Sequence, residues 1–298
     1  MQVSTSLFYD RSATALATLG AHADTLQTQI ATGKRLAQAS DDSVAYTRLR
    51  GIAQASADAT VSASNLDMAG SVLAQADSTL TDIGSQLQRA SELAIRARNG
   101  TMDATDRQAI ATELDEIVAQ LAQLGNAMDP RGQPLFGGAD GGAAVTTNAD
   151  GSYSFASTLP GAIPTGDGQS IQPGDTATRL FVQAGGGNTL QTITDLAAAL
   201  RAGTSVDTAA ATAITKLTAA ATQVTGVQAS LGARAQRVEM DQAALKQAGV
   251  DREAIRSGLE DTDVTATITE LQKTMTILSA TQASFTKLQG LSLYDYLR

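Results

Sequence analysis

The sequence predicts a mainly α protein, with an elongated rod of long antiparallel helices, a terminal coiled coil formed by both chain ends, and a small β-rich insert domain. Three observations lead to this prediction. Apolar residues recur four and three positions apart within 259–298, as in a helix that packs along another helix. Hydrophobic residues make up 43% but aromatic residues only 3%, so much of the apolar share is Ala, which favours helices over a compact core. Gly and Pro are dense within 139–188, where only short strands fit.

The composition excludes several function classes. A net charge of −9 argues against a nucleic-acid surface, which needs clustered Lys and Arg. There is no Cys, hence no disulfide framework and no thiolate nucleophile or ligand. No apolar run approaches the roughly 20 residues that span a bilayer, and residues 1–26 lack the pattern of a cleaved signal peptide. We therefore expect no nucleic-acid partner, no membrane partner and no secretory signal.

The first predicted helix covers residues 4–32. Gly33 is placed to end it in a left-handed conformation, and the segment 32–35 is predicted to turn. Asp41 and Asp42 follow Ser40 and offer side-chain oxygens to cap a second helix. The apolar face of the first helix consists of Leu16, Leu19, Ala23, Leu26 and Ile30.

The second and third helices are predicted to form an antiparallel hairpin. The second holds an apolar repeat until the turn dipeptide Asn99-Gly100, and Asp103 or Thr105 then caps the third. The repeat of the second helix is Leu66, Ala69, Leu73, Ala76, Leu80, Ile83, Leu87, Ala90 and Ala94. That of the third is Ile110, Leu114, Ile117, Leu121, Leu124 and Met128.

The middle of the chain is predicted to be β-rich. Strands are expected near 152–155, 169–171 and 179–183. A short helix is then expected over 189–202, capped by Asn188 or Thr189 and ended by Gly203.

Two helices are predicted to complete the chain. The first runs over 205–248, with Gly249 as a local break and boundaries at 257–258 and 261–263. Its apolar face is Ala210, Ile214, Leu217, Ala221, Val224, Leu231, Ala235, Val238 and Leu245. The apolar face of the terminal helix consists of Val264, Ile268, Leu271, Met275, Leu278 and Phe285. Gln282 occupies the remaining position of its repeat.

This order of elements is nearly palindromic, so the simplest fold pairs the chain ends. We predict three domains. Residues 1–42 and 259–298 form the terminal coiled coil, residues 43–138 and 205–258 form a central helical bundle, and residues 139–204 form the insert.

Short motifs at both ends of the chain resemble the flagellin superfamily, whose long helical terminal parts flank a variable middle. The resemblance covers about 1–140 and 205–298. It lies in IATGKR at 30–35, SDD at 40–42, RNGT at 98–101, GAR at 232–234 and DTD at 261–263. LFGG at 135–138 and the ending LSLYDYL at 291–297 are more similar to the junction branch of the superfamily than to filament flagellins.

The resemblance implies a structural protein at the junction between flagellar hook and filament. It implies export in the unfolded state through the flagellar type III apparatus. It also implies assembly between hook-associated protein 1 and flagellin, with copies of the chain in a ring and an export chaperone on the C-terminal helix.

The apolar faces of the chain ends suggest how assembly proceeds. An amphipathic helix gains most of its stability by burying its apolar face, so we expect both ends to be largely disordered until neighbouring subunits cover them. The predicted assembly interface comprises Leu16, Leu19, Leu26, Ile30, Ile268, Leu271, Met275, Leu278, Phe285, Leu288, Leu291 and Tyr294.

No catalytic residue, metal ligand or cofactor is predicted. His22 is the only histidine, and Asp41 and Asp42 are explained by helix capping. Three alternatives remain: a filament flagellin, a coiled-coil adaptor or type III secretion tip protein, and an enzyme hidden in the insert.

Overall fold

The structure is a computed structural model that describes residues 2–99, 102–138, 141–166, 168–183 and 185–296. Side chains are described for 7, 9–99 and, apart from the gaps just given, for 102–287. Long helices dominate, and a small two-sheet β segment interrupts them, so the predicted mainly α fold class is confirmed.

Seven helices are assigned within the described ranges. They are α1 (Gln2–Thr32), α2 (Ser43–Ala97), α3 (Ala104–Gly125), α4 (Ala177–Phe181), α5 (Thr189–Ala202), α6 (Val206–Glu260) and α7 (Val264–Tyr296).

Four short strands form two antiparallel hairpins between α3 and α4. Strand β1 (Val145–Thr147) pairs with β2 (Tyr153–Phe155), and Val145 faces Phe155. Strand β3 (Ile163–Gly166) pairs with β4 (Gln169–Ile171), with a register shift between Pro164 and Gly166.

The chain divides into two compact units. The first unit contains Met1–Ala57 and Ala248–Arg298, and within it α1 packs along α7. The second unit contains Asp58–Gln247, and within it α5 packs along α3. The proposed division into three domains remains a prediction.

The core of the second unit follows the apolar repeat predicted for α2, whereas on α6 Ala213, Ala220 and Val227 are buried although they were not predicted. Every predicted position of α2 from Leu66 to Ala94 is at most 2% exposed. Phe136, just before the insert, and Phe181, within it on α4, are both fully buried, and the ring of Phe181 lies 5.6 Å from that of Phe155 on β2. The β segment is thus packed into the helical core, because its few aromatic side chains supply the bulk that Ala lacks.

Capping side chains define several helix ends as predicted. The Asp103 carboxylate accepts the Asp106 amide at 2.8 Å at the start of α3, and Asn188 accepts the Gln191 amide at 2.7 Å at the start of α5. Gly33 and Gly203 follow their helices with φ of +69° and +67°, a conformation that costs glycine little.

Three predicted local features are wrong. Residues 179–183 were expected to be a strand, but the first three of them belong to α4, which Thr176 caps and which buries Leu180. Gly249 and the pair at 257–258 do not interrupt α6, since packing outweighs the roughly 1 kcal/mol cost of a helical Gly. Met128 is 59% exposed because α3 ends at Gly125, before the apolar repeat reaches it.

The end of α3 has a steric cause. A Cβ on Gly125 would lie 2.6 Å from Val145, so strand β1 packs directly on the last turn. The Asn126 side chain then pairs with the backbone of Val145 in both directions, donating to its carbonyl at 2.8 Å and accepting its amide at 2.9 Å. The Asn126 side chain therefore takes the place of a strand partner for β1, directly after the end of α3.

Candidate assembly interface

The two ends of the chain meet along α1 and α7. The rings of Tyr9 and Phe285 pack edge to face, with centroids 5.6 Å apart and planes at 84°. At the other end of the pair, the Thr262 amide donates to the Gly33 carbonyl at 2.9 Å. These contacts define an antiparallel register that, carried along both helices, places Leu16 opposite Leu278 and Ala23 opposite Leu271.

The side chains that α1 and α7 turn towards each other form the terminal seam. On α1, Ala23 and Leu26 are buried, and Leu16, Leu19 and Ile30 are half-buried. On α7, Thr267 and Thr274 are buried, and Leu271, Leu278, Thr281 and Phe285 are half-buried.

The inward face of α7 is displaced by one position from the predicted one. Leu271, Leu278 and Phe285 point inward as expected, but Thr267 and Thr274 occupy the intervening positions. Ile268 and Met275 were expected there and lie outside, 40% and 44% exposed.

The displacement has a physical basis in threonine chemistry. The Thr267 hydroxyl donates to the Asp263 carbonyl one turn back at 2.7 Å, so its polar group is satisfied within the helix and its methyl group can face α1. Val264, Ile268 and Met275 are left as an outer stripe on the flank of α7, each 40–44% exposed. The predicted interface residues therefore fall on two faces.

The side chains of Leu288, Leu291 and Tyr294 lie outside the described residues. Their part in the predicted interface stays a prediction.

Segments 33–35 and 259–262 form a cross-link between the chain ends, which we call the clasp. Lys34 and Asp261 face each other in an antiparallel bridge, and the Arg35 amide donates to the Glu260 carbonyl at 2.7 Å. The Arg35 guanidinium also donates to the Leu259 carbonyl at 3.0 Å. Backbone and side chain thus fix the end of α6 beside the end of α1.

Charges reinforce the clasp. The Glu260 carboxylate accepts from Lys34 across the clasp and from Arg256 one turn back on α6. The Lys34 hydrogen bond is the first cause that lowers the pKa of Glu260, followed in the same direction by the Arg256 hydrogen bond. Arg256 also binds Glu253 at 2.5 Å, which lowers the pKa of Glu253.

Aspartates shape the segments on either side of the clasp. Asp42 accepts the Val44 and Ala45 amides at 3.1 and 3.0 Å and so caps α2, as predicted. Asp41 instead accepts the Ala37 and Gln38 amides at 3.0 and 2.8 Å, closing the turn before the helix. Hydrogen bonding to backbone thus accounts for both carboxylates.

An open groove of about 510 Å³ lies beside the clasp. Its lining is largely apolar, with Lys34, Arg50, Arg256 and Glu260 adding charge. The apolar part of the wall is formed by Leu36, Ala37, Tyr46, Leu49 and Ala53.

Sequence reasoning missed the clasp, although it singled out both of its segments as motifs. Lys34 and Glu260 are far apart in the chain, and nothing in either segment names its partner. Only the prediction that the chain ends pair could have brought them together.

Two further properties concern the described residues alone. No helix among them has an apolar stretch long enough to cross a membrane. Nor do they contain a group of three or more His, Asp or Glu side chains arranged to hold a metal ion.

The helical ends of the chain match the two helical regions of one protein family. Residues 3–140 match the bacterial flagellin N-terminal helical region, and residues 214–297 match the bacterial flagellin C-terminal helical region. The chain belongs to the flagellin family. Its relatives are structural proteins of the bacterial flagellum, so this flagellin-family chain is a flagellar structural protein and not an enzyme.

Curated relatives of this flagellin-family chain carry a more specific name. Flagellar hook-associated protein 3 of Salmonella typhimurium is 31% identical over 153 residues, which span 51% of this chain and 48% of that protein. The chain thus matches about half the length of that relative. Flagellar hook-associated protein 3 of Escherichia coli is 27% identical over 329 residues, covering 99% of both proteins.

A solved structure supports the fold. The putative flagellar hook-associated protein from Vibrio parahaemolyticus superimposes with a TM-score of 0.70 at 19% identity. The match covers 74% of the flagellin-family chain and all of the Vibrio chain. The two proteins therefore share an architecture.

Proposed function

We propose that this chain is a hook–filament junction protein that links hook-associated protein 1 to the flagellin filament. The observation that carries the proposal is its similarity to flagellar hook-associated protein 3 of Escherichia coli along 99% of both proteins. A similarity that extends through the middle supports a hook-associated protein over a filament flagellin, because the helical ends are shared by the whole family.

The terminal seam supports assembly through the chain ends. Leu16, Leu271 and Leu278 are only half-buried by the α1–α7 pairing, and the outer stripe of Val264, Ile268 and Met275 stays 40–44% exposed. A pair of helices that buries one face of each gains limited stability, since each fully buried aliphatic side chain contributes only about 1.5–3 kcal/mol. Neighbouring copies in a ring complete the burial, and folding of the ends is coupled to incorporation.

Subunits of such a ring contact each other through different surfaces, an arrangement that builds helical arrays. Hook-associated protein 1 binds one side and flagellin the other. The chain travels unfolded through the flagellar type III apparatus, and an export chaperone covers the apolar face of α7 on the way.

The experiment is electron microscopy of flagella from a strain lacking this chain, with the gene restored as a control. The proposal predicts hooks without filaments and flagellin released into the medium. Normal filaments in the deletion strain would contradict it.

The second candidate function is a filament flagellin, major or minor, because the family matches at both ends are shared with flagellins. Quantifying the chain in isolated flagella separates the two. A junction protein is present in a few copies for each filament, whereas a major filament protein is present in thousands.

A further inference from the structure

The terminal seam repeats itself every seven residues. On α1 the repeat is Tyr9, Leu16, Ala23 and Ile30. On α7 it is Leu271, Leu278 and Phe285, with Thr267, Thr274 and Thr281 between them. The two buried threonines, Thr267 and Thr274, are themselves seven residues apart, so the polar positions of the seam repeat together with its apolar ones and do not specify a register.

A displacement of one repeat would preserve the character of the seam. In the observed register Leu16 lies opposite Leu278, whereas sliding the helices by seven residues brings Leu16 opposite Leu271. Ala23 would then lie opposite Val264, and Tyr9 opposite Leu278. These three pairs are apolar, and the slip loses only one apolar pair, because Ile30 would face Ser257. The side chains of the seam therefore discriminate weakly between the two registers.

The clasp carries no such repeat. Its hydrogen bonds require Arg35 beside Glu260 and Gly33 beside Thr262, at 2.7 and 2.9 Å between backbone atoms. A slip of seven residues moves one helix by about 10 Å along the other, at 1.5 Å a residue. None of these hydrogen bonds survives such a movement.

The clasp is also attached directly to the seam. Gly33 follows the last residue of α1, and Asp263 directly precedes the first residue of α7 and caps it by accepting the Ala266 amide at 3.0 Å. No flexible linker separates the fixed segments from the helices, so a position set at the clasp is transmitted along both of them.

We propose that the clasp is a register lock that selects one of several near-equivalent pairings of the two chain ends. The proposal goes beyond the flagellar role and depends only on the geometry of the first unit. Correct register matters for assembly because a slip changes which residues the outer stripe presents and where.

The absence of cysteine allows a direct test by disulfide trapping in the full chain. The pair Leu16→Cys with Leu278→Cys reports the observed register, and Leu16→Cys with Leu271→Cys reports the slipped one. Both pairs are introduced into the natural sequence and into a clasp-free variant that combines Lys34→Ala, Arg35→Pro and Glu260→Ala. Proline at 35 removes the amide donor as well as the guanidinium.

With the clasp intact, we expect the observed-register disulfide to be the main cross-linked product under mild oxidation, because oxidation traps the paired ends each time they come together even where they open rapidly in the free chain. Without it, we expect the ratio of slipped to observed disulfide to rise about tenfold, because the observed register loses hydrogen bonds that the slipped register never makes. The matched control is Glu253→Ala, which breaks an ion pair to Arg256 but leaves Lys34, Arg35 and Glu260 in place, and should not change the ratio.

Two results would overturn the proposal. One is an unchanged ratio in the clasp-free variant, with circular dichroism showing that the second unit remains folded. The other is failure of the observed-register disulfide to form while the clasp is intact. Neither readout involves flagella, so a failure of the register lock can be distinguished from a failure of the junction role.

Discussion

Tyr9 and Phe285 pack edge to face at 5.6 Å, although they lie near opposite ends of the chain. Edge-to-face aromatic pairs contribute about 0.5–1.5 kcal/mol beyond the area that they bury. A contribution of this size is too small to hold two helices together on its own. The pairing of the ends therefore depends on the half-buried leucines of the terminal seam and on any surface that covers them from outside.

Replacing Leu278 by Asp should abolish incorporation into flagella while leaving the second unit folded. Leu278 is half-buried in the seam, and a carboxylate there would lose hydration without gaining a partner. Immunoblotting of purified flagella measures incorporation, and thermal unfolding by circular dichroism measures the fold. Ser279→Asp is the matched control, because it adds the same charge at the adjacent exposed position and should incorporate normally. Normal assembly of the Leu278 variant would remove this seam from the assembly surface.

Replacing Gly174 by Ala should destabilise the second unit by about 3 kcal/mol, at the upper end of the cost of overpacking. A Cβ at this position would lie 2.0 Å from the backbone carbonyl oxygen of Leu135, which cannot move aside as a flexible side chain can. The melting temperature should fall by roughly 6–12 °C in calorimetry. Gly161→Ala has open space around the added methyl group and serves as the control. Equal melting temperatures for the two variants would show that the loop does not pack against Leu135 as described.

Replacing Arg234 by Ala should cost about 2 kcal/mol of unfolding free energy. Its guanidinium donates to the Gln172 and Gly174 carbonyls at 3.1 and 2.6 Å and lies 3.6 Å from Asp175, whose carboxylate is 2% exposed. Removing one partner of a buried charge usually costs about 3–5 kcal/mol, but Arg179 still binds Asp175 at 2.6 Å. Urea denaturation measures the loss.

The control for Arg234 is Arg237→Ala on the same helix. Arg237 is half-exposed, its ion pair with Asp241 spans 3.7 Å, and its hydrogen bond to the Gln169 side chain at 2.5 Å is exposed to solvent. Its removal should therefore change stability by less than about 0.5 kcal/mol. If both variants lost the same stability, the anchoring of the 172–175 loop by Arg234 would be refuted.

The clasp should weaken in acid. Hydrogen bonds from Lys34 and Arg256 lower the pKa of Glu260 below its ordinary value of 4.5. The stabilisation is therefore complete above that value and is lost as the pH falls through the lower, folded-state pKa. Hydrogen exchange of the 257–262 amides, corrected for the intrinsic pH dependence, should accelerate as the pH falls below the ordinary glutamate pKa of 4.5. Glu260→Gln should remove this acceleration, and an unaltered profile in that variant would assign the effect to another group.

The helical part of the fold was predictable because its signal is local and repeated. The apolar repeat of α2 from Leu66 to Ala94 corresponds to a continuous buried face, and Gly33 and Gly203 end their helices as expected. The start of α5 was equally clear, because Asn188 is a favourable capping residue beside an apolar repeat.

Other features depend on long-range packing that local patterns do not encode. Residues near Arg179 have strand-like composition, yet they form α4, which buries Phe181 in a core made largely by helices that are distant in sequence. The inward face of α7 could not be chosen between two adjacent apolar repeats without knowing where α1 lies. The contact of Lys34 with Glu260 has no sequence signal at all, because a charged residue at a helix end is usually solvated.

We propose that the two chain ends obtain part of their hydrophobic cover from neighbouring subunits. Hydrogen exchange with mass spectrometry on the free full-length chain and on the chain in isolated flagella measures this cover. We expect amides of α1 and α7 to exchange rapidly in the free chain and to become protected in flagella, whereas α2 and α6 between Asp58 and Gln247 are protected in both. Full protection of α1 and α7 in the free chain would contradict it.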